Sequence, residues 1–152
     1  MKEKYKKSDK YVTFVSTGTE FILGGSIPNI VRGFEIITSD KNYIKYGFSI
    51  GKSRYVNDGE EFYYFPLDTV ENLRKVTNAY DLHYEANYQG ERYGALFNPG
   101  DTIVTLRSDH EVEGFQRMDK FYWDKDIDIS EVEIIPVKEP IDLVQFLPKN
   151  TD

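Results

Sequence analysis

Cysteine is absent from all 152 residues. No disulfide framework and no thiolate metal site is therefore available, and a small chain without such staples fits the cytoplasm better than a secreted setting. Histidine is scarce, with only His83 and His110 present. A protein zinc site takes about three ligands from the chain, and a Ser–His–Asp arrangement has few ways to form with so few imidazoles. No apolar run approaches the roughly 20 residues that cross a bilayer. Met1–Lys10 is lysine-rich, but Tyr11–Val15 is too short for the apolar part of a secretory leader, so no signal peptide is read.

Phosphate-binding signatures are missing as well. Gly24-Gly25-Ser26 opens a candidate helical turn, yet neither G-x-x-x-x-G-K-[ST] nor G-x-G-x-x-G is present, and a turn capped by Ser26 explains these residues. Positive charge is in short supply: 19 Lys and Arg stand against 26 Asp and Glu, a net charge of −7. Direct grip on nucleic acid depends on neutralising phosphates and is not expected. The imbalance is uneven. Met1–Lys10 has a net charge of +3, whereas Asp124–Asp152 carries eight acids against three lysines.

What the chain has in plenty is tyrosine, twelve in all, nine of them between Tyr43 and Tyr93. Together with ten Phe they supply the apolar area for a globular domain. The expected fold is α+β and β-rich, a mainly antiparallel sheet or partly open barrel with one central helix over 69–79. Residues 1–10 read as a flexible basic arm, 11–147 as a single globular domain and 148–152 as a flexible tail. Strands are expected at Tyr11–Val15, Phe21–Leu23, Phe34–Thr38, Tyr43–Ile50, Phe62–Leu67, Thr102–Arg107, Phe115–Trp123 and Glu131–Val137. Phe34–Thr38 and Tyr43–Ile50 form the clearest predicted hairpin. A second hairpin lies within Tyr84–Phe97, turning at Gln89-Gly90-Glu91. Asn98-Pro99-Gly100-Asp101 and Asn57-Asp58-Gly59 are turn signals. The helix follows Asp68-Thr69-Val70-Glu71, which resembles a capping box, and has apolar residues at Val70, Leu73, Val76 and Tyr80. Asp124–Ser130 reads as an acidic connection.

Several side-chain groupings bear on chemistry. His83 and His110 both sit among acids, but nothing in the spacing brings them together, and surface positions explain them. Glu111 and Glu113 form an E-x-E pair of the kind found in some sugar- and ADP-ribose-transferring enzymes. There an arginine precedes a Ser/Thr strand, whereas here Ser16-Thr17 precedes Arg32 and Arg54. Asp124, Asp126 and Asp128 are spaced like part of a calcium loop, but no glycine follows and Ile135 stands where the bidentate glutamate belongs. An acidic strand edge that discourages aggregation is the plainer reading. No cofactor and no metal are expected.

In composition the chain resembles small accessory proteins of Gram-positive bacteria and their phages, among them immunity proteins and phage-encoded inhibitors of host defence. The leading expectation is a non-enzymatic acidic binding protein that occupies a basic surface of a protein partner, such as a nucleic-acid enzyme. Its contact residues would be Tyr63, Tyr64, Tyr88, Trp123, Asp124, Asp126 and Asp128. The alternative is a small-ligand (nucleotide-like) binding or enzymatic domain with a pocket in the curved sheet, lined by Tyr46, Tyr64, His83, Tyr93 and Arg107. A structural component of a virus or mobile element is a third. No membrane association is expected.

Overall fold

The computed structural model describes residues 5–25, 34–52 and 61–147. The expected helical turn at 26–33 and the turn at Asn57-Asp58-Gly59 lie outside them. The protein is β-rich, with eleven strands, antiparallel pairing and few helical residues. It divides into two compact units. One comprises Lys10–Tyr80 and Pro140–Asp152, the other Met1–Asp9 and Asp81–Glu139. We call them the aromatic and the acidic unit.

The aromatic unit is built from β1 (Asp9–Phe14), β2 (Thr19–Gly25), β3 (Phe34–Thr38), β4 (Ser49–Lys52) and β5 (Glu61–Pro66), followed by α1 (Val70–Leu73) and the first residues of β6 (Val76–Tyr88). β1 pairs with β2, β2 with β3, β3 with β5, and β5 with β4. The core gathers around Phe14, which is fully buried and meets Tyr43, Tyr46, Phe48 and Phe65 edge-on at ring-centre distances of 5.4–5.9 Å. Each such pair adds about 0.5–1.5 kcal/mol beyond burial. The buried Tyr43 hydroxyl is satisfied by the side chains of Thr17 and Thr19 at 3.0 and 3.1 Å.

That cluster explains two departures from the sequence expectation. Phe34–Thr38 does not form a hairpin with Tyr43–Ile50; β3 pairs with β5, and Lys41–Tyr46 is a 3₁₀ helix. Asp40 caps it by accepting from the Asn42 backbone N–H at 2.9 Å, and Gly47 ends it at φ 100°. The three-residue repeat of the 3₁₀ helix turns Tyr43 and Tyr46 to one side, toward Phe14, where a strand would have sent one of them out. The helix expected over 69–79 is likewise only Val70–Leu73, with Thr69 as its cap, accepting from Asn72 N–H at 3.1 Å. β-Branched and aromatic residues from Val76 onward favour the strand that follows.

The acidic unit contains the rest of β6, then β7 (Glu91–Leu96), β8 (Ile103–Ser108), β9 (Gln116–Asp119), β10 (Tyr122–Asp128) and β11 (Glu133–Pro140). β6 pairs with β7, β7 with β8, β8 with β10 and β10 with β9, while β11 pairs with β6. The pairing stops at β9 and does not close into a barrel. The hairpin expected within Tyr84–Phe97 is present, turning on Gln89 and Gly90, both left-handed (φ 51° and 85°), as a two-residue connection requires. The turn at 98–101 is closed by Asp101 N–H to Asn98 C=O at 3.0 Å.

Alternation is regular from Leu82 of β6 through β7 and β8. Leu82, Tyr84, Ala86, Tyr93, Ala95, Val104, Leu106 and Ile127 are buried on the inner side. The segment expected as an acidic connection is instead strand through Asp128. Its acids occupy every second position, so the pleat sends all three outward.

Candidate functional site

Strand register organises the outer face of the acidic unit. Asp124 lies opposite Arg107, Asp126 opposite Thr105, and Asp128 opposite Ile103. Arg107 donates to Asp124 through Nε and Nη2 at 2.9 and 2.8 Å, a bidentate pair, and its guanidinium lies 3.9 Å over the Tyr122 ring. The Asp124 hydrogen bonds raise the Arg107 pKa above its already high usual value. Thr105 donates to Asp126 at 2.6 Å. Asp128 accepts from the Ser130 backbone N–H and hydroxyl at 2.9 and 2.7 Å, and these bonds hold its carboxyl below the usual range.

On β6 and β7 a second arginine is fixed in the same way. Arg92 donates from Nη1 to Glu85 at 2.8 Å and from Nε to Asn87 at 3.2 Å, and Asn87 donates to Glu133 at 2.8 Å. Gly94 sits between the two arginine systems, opposite Arg107 on one side and Glu85 on the other.

Charge is concentrated in this unit. Residues 81–139 hold fourteen Asp and Glu against six Lys and Arg, a net −8. Beside Asp126 and Asp128 the face is apolar: Leu96 and Ile103 are 46% and 49% exposed. With Phe97, Asp101 and Thr105 they line an open depression of about 540 Å³. A smaller one, about 320 Å³, lies over Gly94 between Arg92, Arg107 and Tyr122.

The residues expected to make partner contacts separate. Asp124, Asp126 and Asp128 come together on the outer face. Trp123 and Tyr88 point to the inner side, where Arg117 lies 5.8 Å from the Trp123 ring and Lys125 5.6 Å from Tyr88. Tyr63 and Tyr64 belong to the aromatic unit; Tyr63 is buried in its core and Tyr64 is half-buried. Of the alternative ligand set, Tyr93 and Arg107 both line the smaller depression, whereas Tyr46 packs on Phe14 in the aromatic unit. His83 is in the acidic unit but away from the depression, its Nδ1 3.5 Å from Glu139. His110 does line it and contacts Asp109 at 2.8 Å, a bond that lowers the Asp109 pKa. Glu111 and Glu113 are exposed in a loop rather than paired on a strand.

Arg92, Gly94, Thr105 and Tyr122 escaped the sequence reading. The available signal was Gly94 itself, a glycine in the middle of an alternating strand. Among the described residues no cluster of three or more His, Asp or Glu is placed to hold a metal, and no helix is long and apolar enough to cross a membrane.

No curated protein and no solved structure matches the chain. Residues 7–143 match the family described as Uncharacterised conserved protein UCP033725, and the chain belongs to that family.

Proposed function

We propose that this is a non-enzymatic binding protein of the inhibitor or immunity type, acting in the cytoplasm by laying the outer face of β10 on a basic surface of a protein partner. The observation that carries this reading is the juxtaposition of Asp126 and Asp128 with exposed Leu96 and Ile103. An apolar centre beside charged residues is the usual anatomy of a protein interface. The net −8 of residues 81–139 supplies long-range attraction to a basic partner. A nucleic-acid enzyme, whose substrate groove is basic, offers the complementary charge.

Asp124 is a poor probe of this face, because reversing it also unseats Arg107. Asp126→Lys with Asp128→Lys is the cleaner variant. Proteins captured by the tagged chain at low salt and identified by mass spectrometry should be lost by this variant and released as ionic strength rises above about 0.15 M. A partner retained equally by both proteins and indifferent to salt contradicts the reading.

A further inference from the structure

Gly94 has no conformational or packing reason to be glycine. It pairs in regular register with Glu85 and Arg107, without a bulge, and its φ is not left-handed. A Cβ built there would meet its nearest atoms, the Arg107 carbonyl oxygen and Cβ, at 3.7 and 3.8 Å, which is ordinary contact. Glycine in a strand interior nonetheless weakens the strand by about 0.5–1 kcal/mol relative to alanine. In such a place it often marks the close approach of a ligand. Over it lies the open depression of about 320 Å³.

Its lining is unlike the rest of this unit. Two of the unit's three arginines, Arg92 and Arg107, meet there with His110 and its partner Asp109, in a segment where acids outnumber bases by fourteen to six. Register makes the arginines diagonal neighbours on one face, about 7–8 Å apart at the backbone. Both guanidiniums are held through Nε and one terminal nitrogen. Arg92 Nη2 and Arg107 Nη1 make no hydrogen bond to any described residue. Buried Ser108 ties down the His110 backbone, donating to its carbonyl at 2.7 Å and accepting from its N–H at 3.1 Å. On the lip stands Phe121, 75% exposed.

We infer that this depression is a binding site for a small ligand carrying one phosphomonoester group on a planar ring, the chemistry of a nucleoside monophosphate. The anion would bridge the free edges of Arg92 and Arg107 above Gly94, and the ring would stack on Phe121. Glu85 and Asp124 already neutralise much of the arginine charge, and Asp109 adds a carboxylate at the rim beside His110, so the site suits a single anionic group rather than a polyanion.

The test is an amide-shift titration of the full chain with AMP, adenosine and inorganic phosphate. AMP should shift Gly94, Ser108, His110 and Tyr122, with adenosine and phosphate each weaker by about tenfold or more. Gly94→Val, which suits a strand but fills the depression, should weaken AMP by at least about tenfold with the remaining amide spectrum unchanged. Arg92→Gln, at a side chain 53% exposed and therefore safe for folding, should weaken it similarly. No AMP shift at these amides, adenosine binding as well as AMP, or undiminished binding by either variant would overturn the inference. Phosphate binding as tightly as AMP would overturn its ring-stacking part.

Discussion

In the aromatic unit the large rings converge on one buried residue, Phe14; in the acidic unit the inner rings form separate small groups, Tyr84 with Tyr5 and Phe97 and Tyr93 with Phe115, among Leu, Val and Ala, and Arg92, Arg107 and the aspartate row face out. Phe14 alone touches four other aromatic rings. Leu106, equally buried, sits on a sheet whose opposite side carries Arg92, Arg107 and a row of aspartates. The net charge divides likewise: −6 for the whole acidic unit, against −1 for the whole aromatic unit. A core of interlocking rings leaves little to vary without loss of packing. A solvated outer sheet face can change at small cost in stability. The ring cluster supplies the packing of the aromatic unit, and the proposed function places recognition on the outer face of the acidic one.

The sharpest way to break this contrast is to cut into each core. Phe14→Ala should destabilise by about 3–5 kcal/mol and Leu106→Ala by about 2–4 kcal/mol, measured by chemical denaturation. If Leu106→Ala costs the more, the ring cluster is not the dominant packing element.

Tyr84→Phe comes next, at about 1 kcal/mol. Its hydroxyl donates to the Lys6 carbonyl at 2.7 Å, and its ring packs against Tyr5 and Phe97, so it fixes the start of the described chain to the acidic unit's core. Burial raises the Tyr84 pKa above 10.0. The folded state therefore holds this proton more tightly than the unfolded chain. The resulting contribution is intact below about pH 10 and lost as pH rises through the raised value. Melting curves between pH 9 and 11 should fall more steeply for the wild type than for Tyr84→Phe; parallel curves would remove Tyr84 from the account.

The smallest expected effect is on the outer face itself. Asp126→Lys with Asp128→Lys should change stability by less than about 1 kcal/mol, because both side chains are exposed. A much larger loss would make that row structural.

Where strict alternation governed, the sequence could be read. The Gln89-Gly90 turn, the 98–101 turn and the strand at Thr102–Arg107 are present as expected. So is the alternating spacing of Asp124, Asp126 and Asp128, although it belongs to a strand rather than a connection. Legibility failed where one side-chain pattern served two structures. Ile44, Tyr46, Phe48 and Ile50 alternate well enough for a strand, but Tyr43 and Tyr46 at a spacing of three also suit the 3₁₀ helix that brings both rings to Phe14. Val70, Leu73, Val76 and Tyr80 fit a helix, yet the cap at Thr69 starts only one turn before β6 begins. Tyrosine abundance was a poor guide to surface, since Tyr43, Tyr63, Tyr84 and Tyr93 are all buried. The arginine pair around Gly94 depends on cross-strand register, which no local pattern states.

Matched charge reversals test the division of labour most directly. Asp126→Lys with Asp128→Lys in the acidic unit and Glu61→Lys with Glu71→Lys in the aromatic unit change net charge equally, at positions that are all exposed. Partner capture at low salt is then compared for the two variants and the wild type. Capture should be lost in the first variant and preserved in the second. Equal loss in both would reduce the effect to net charge, and retention by the first variant would remove the β10 face from recognition.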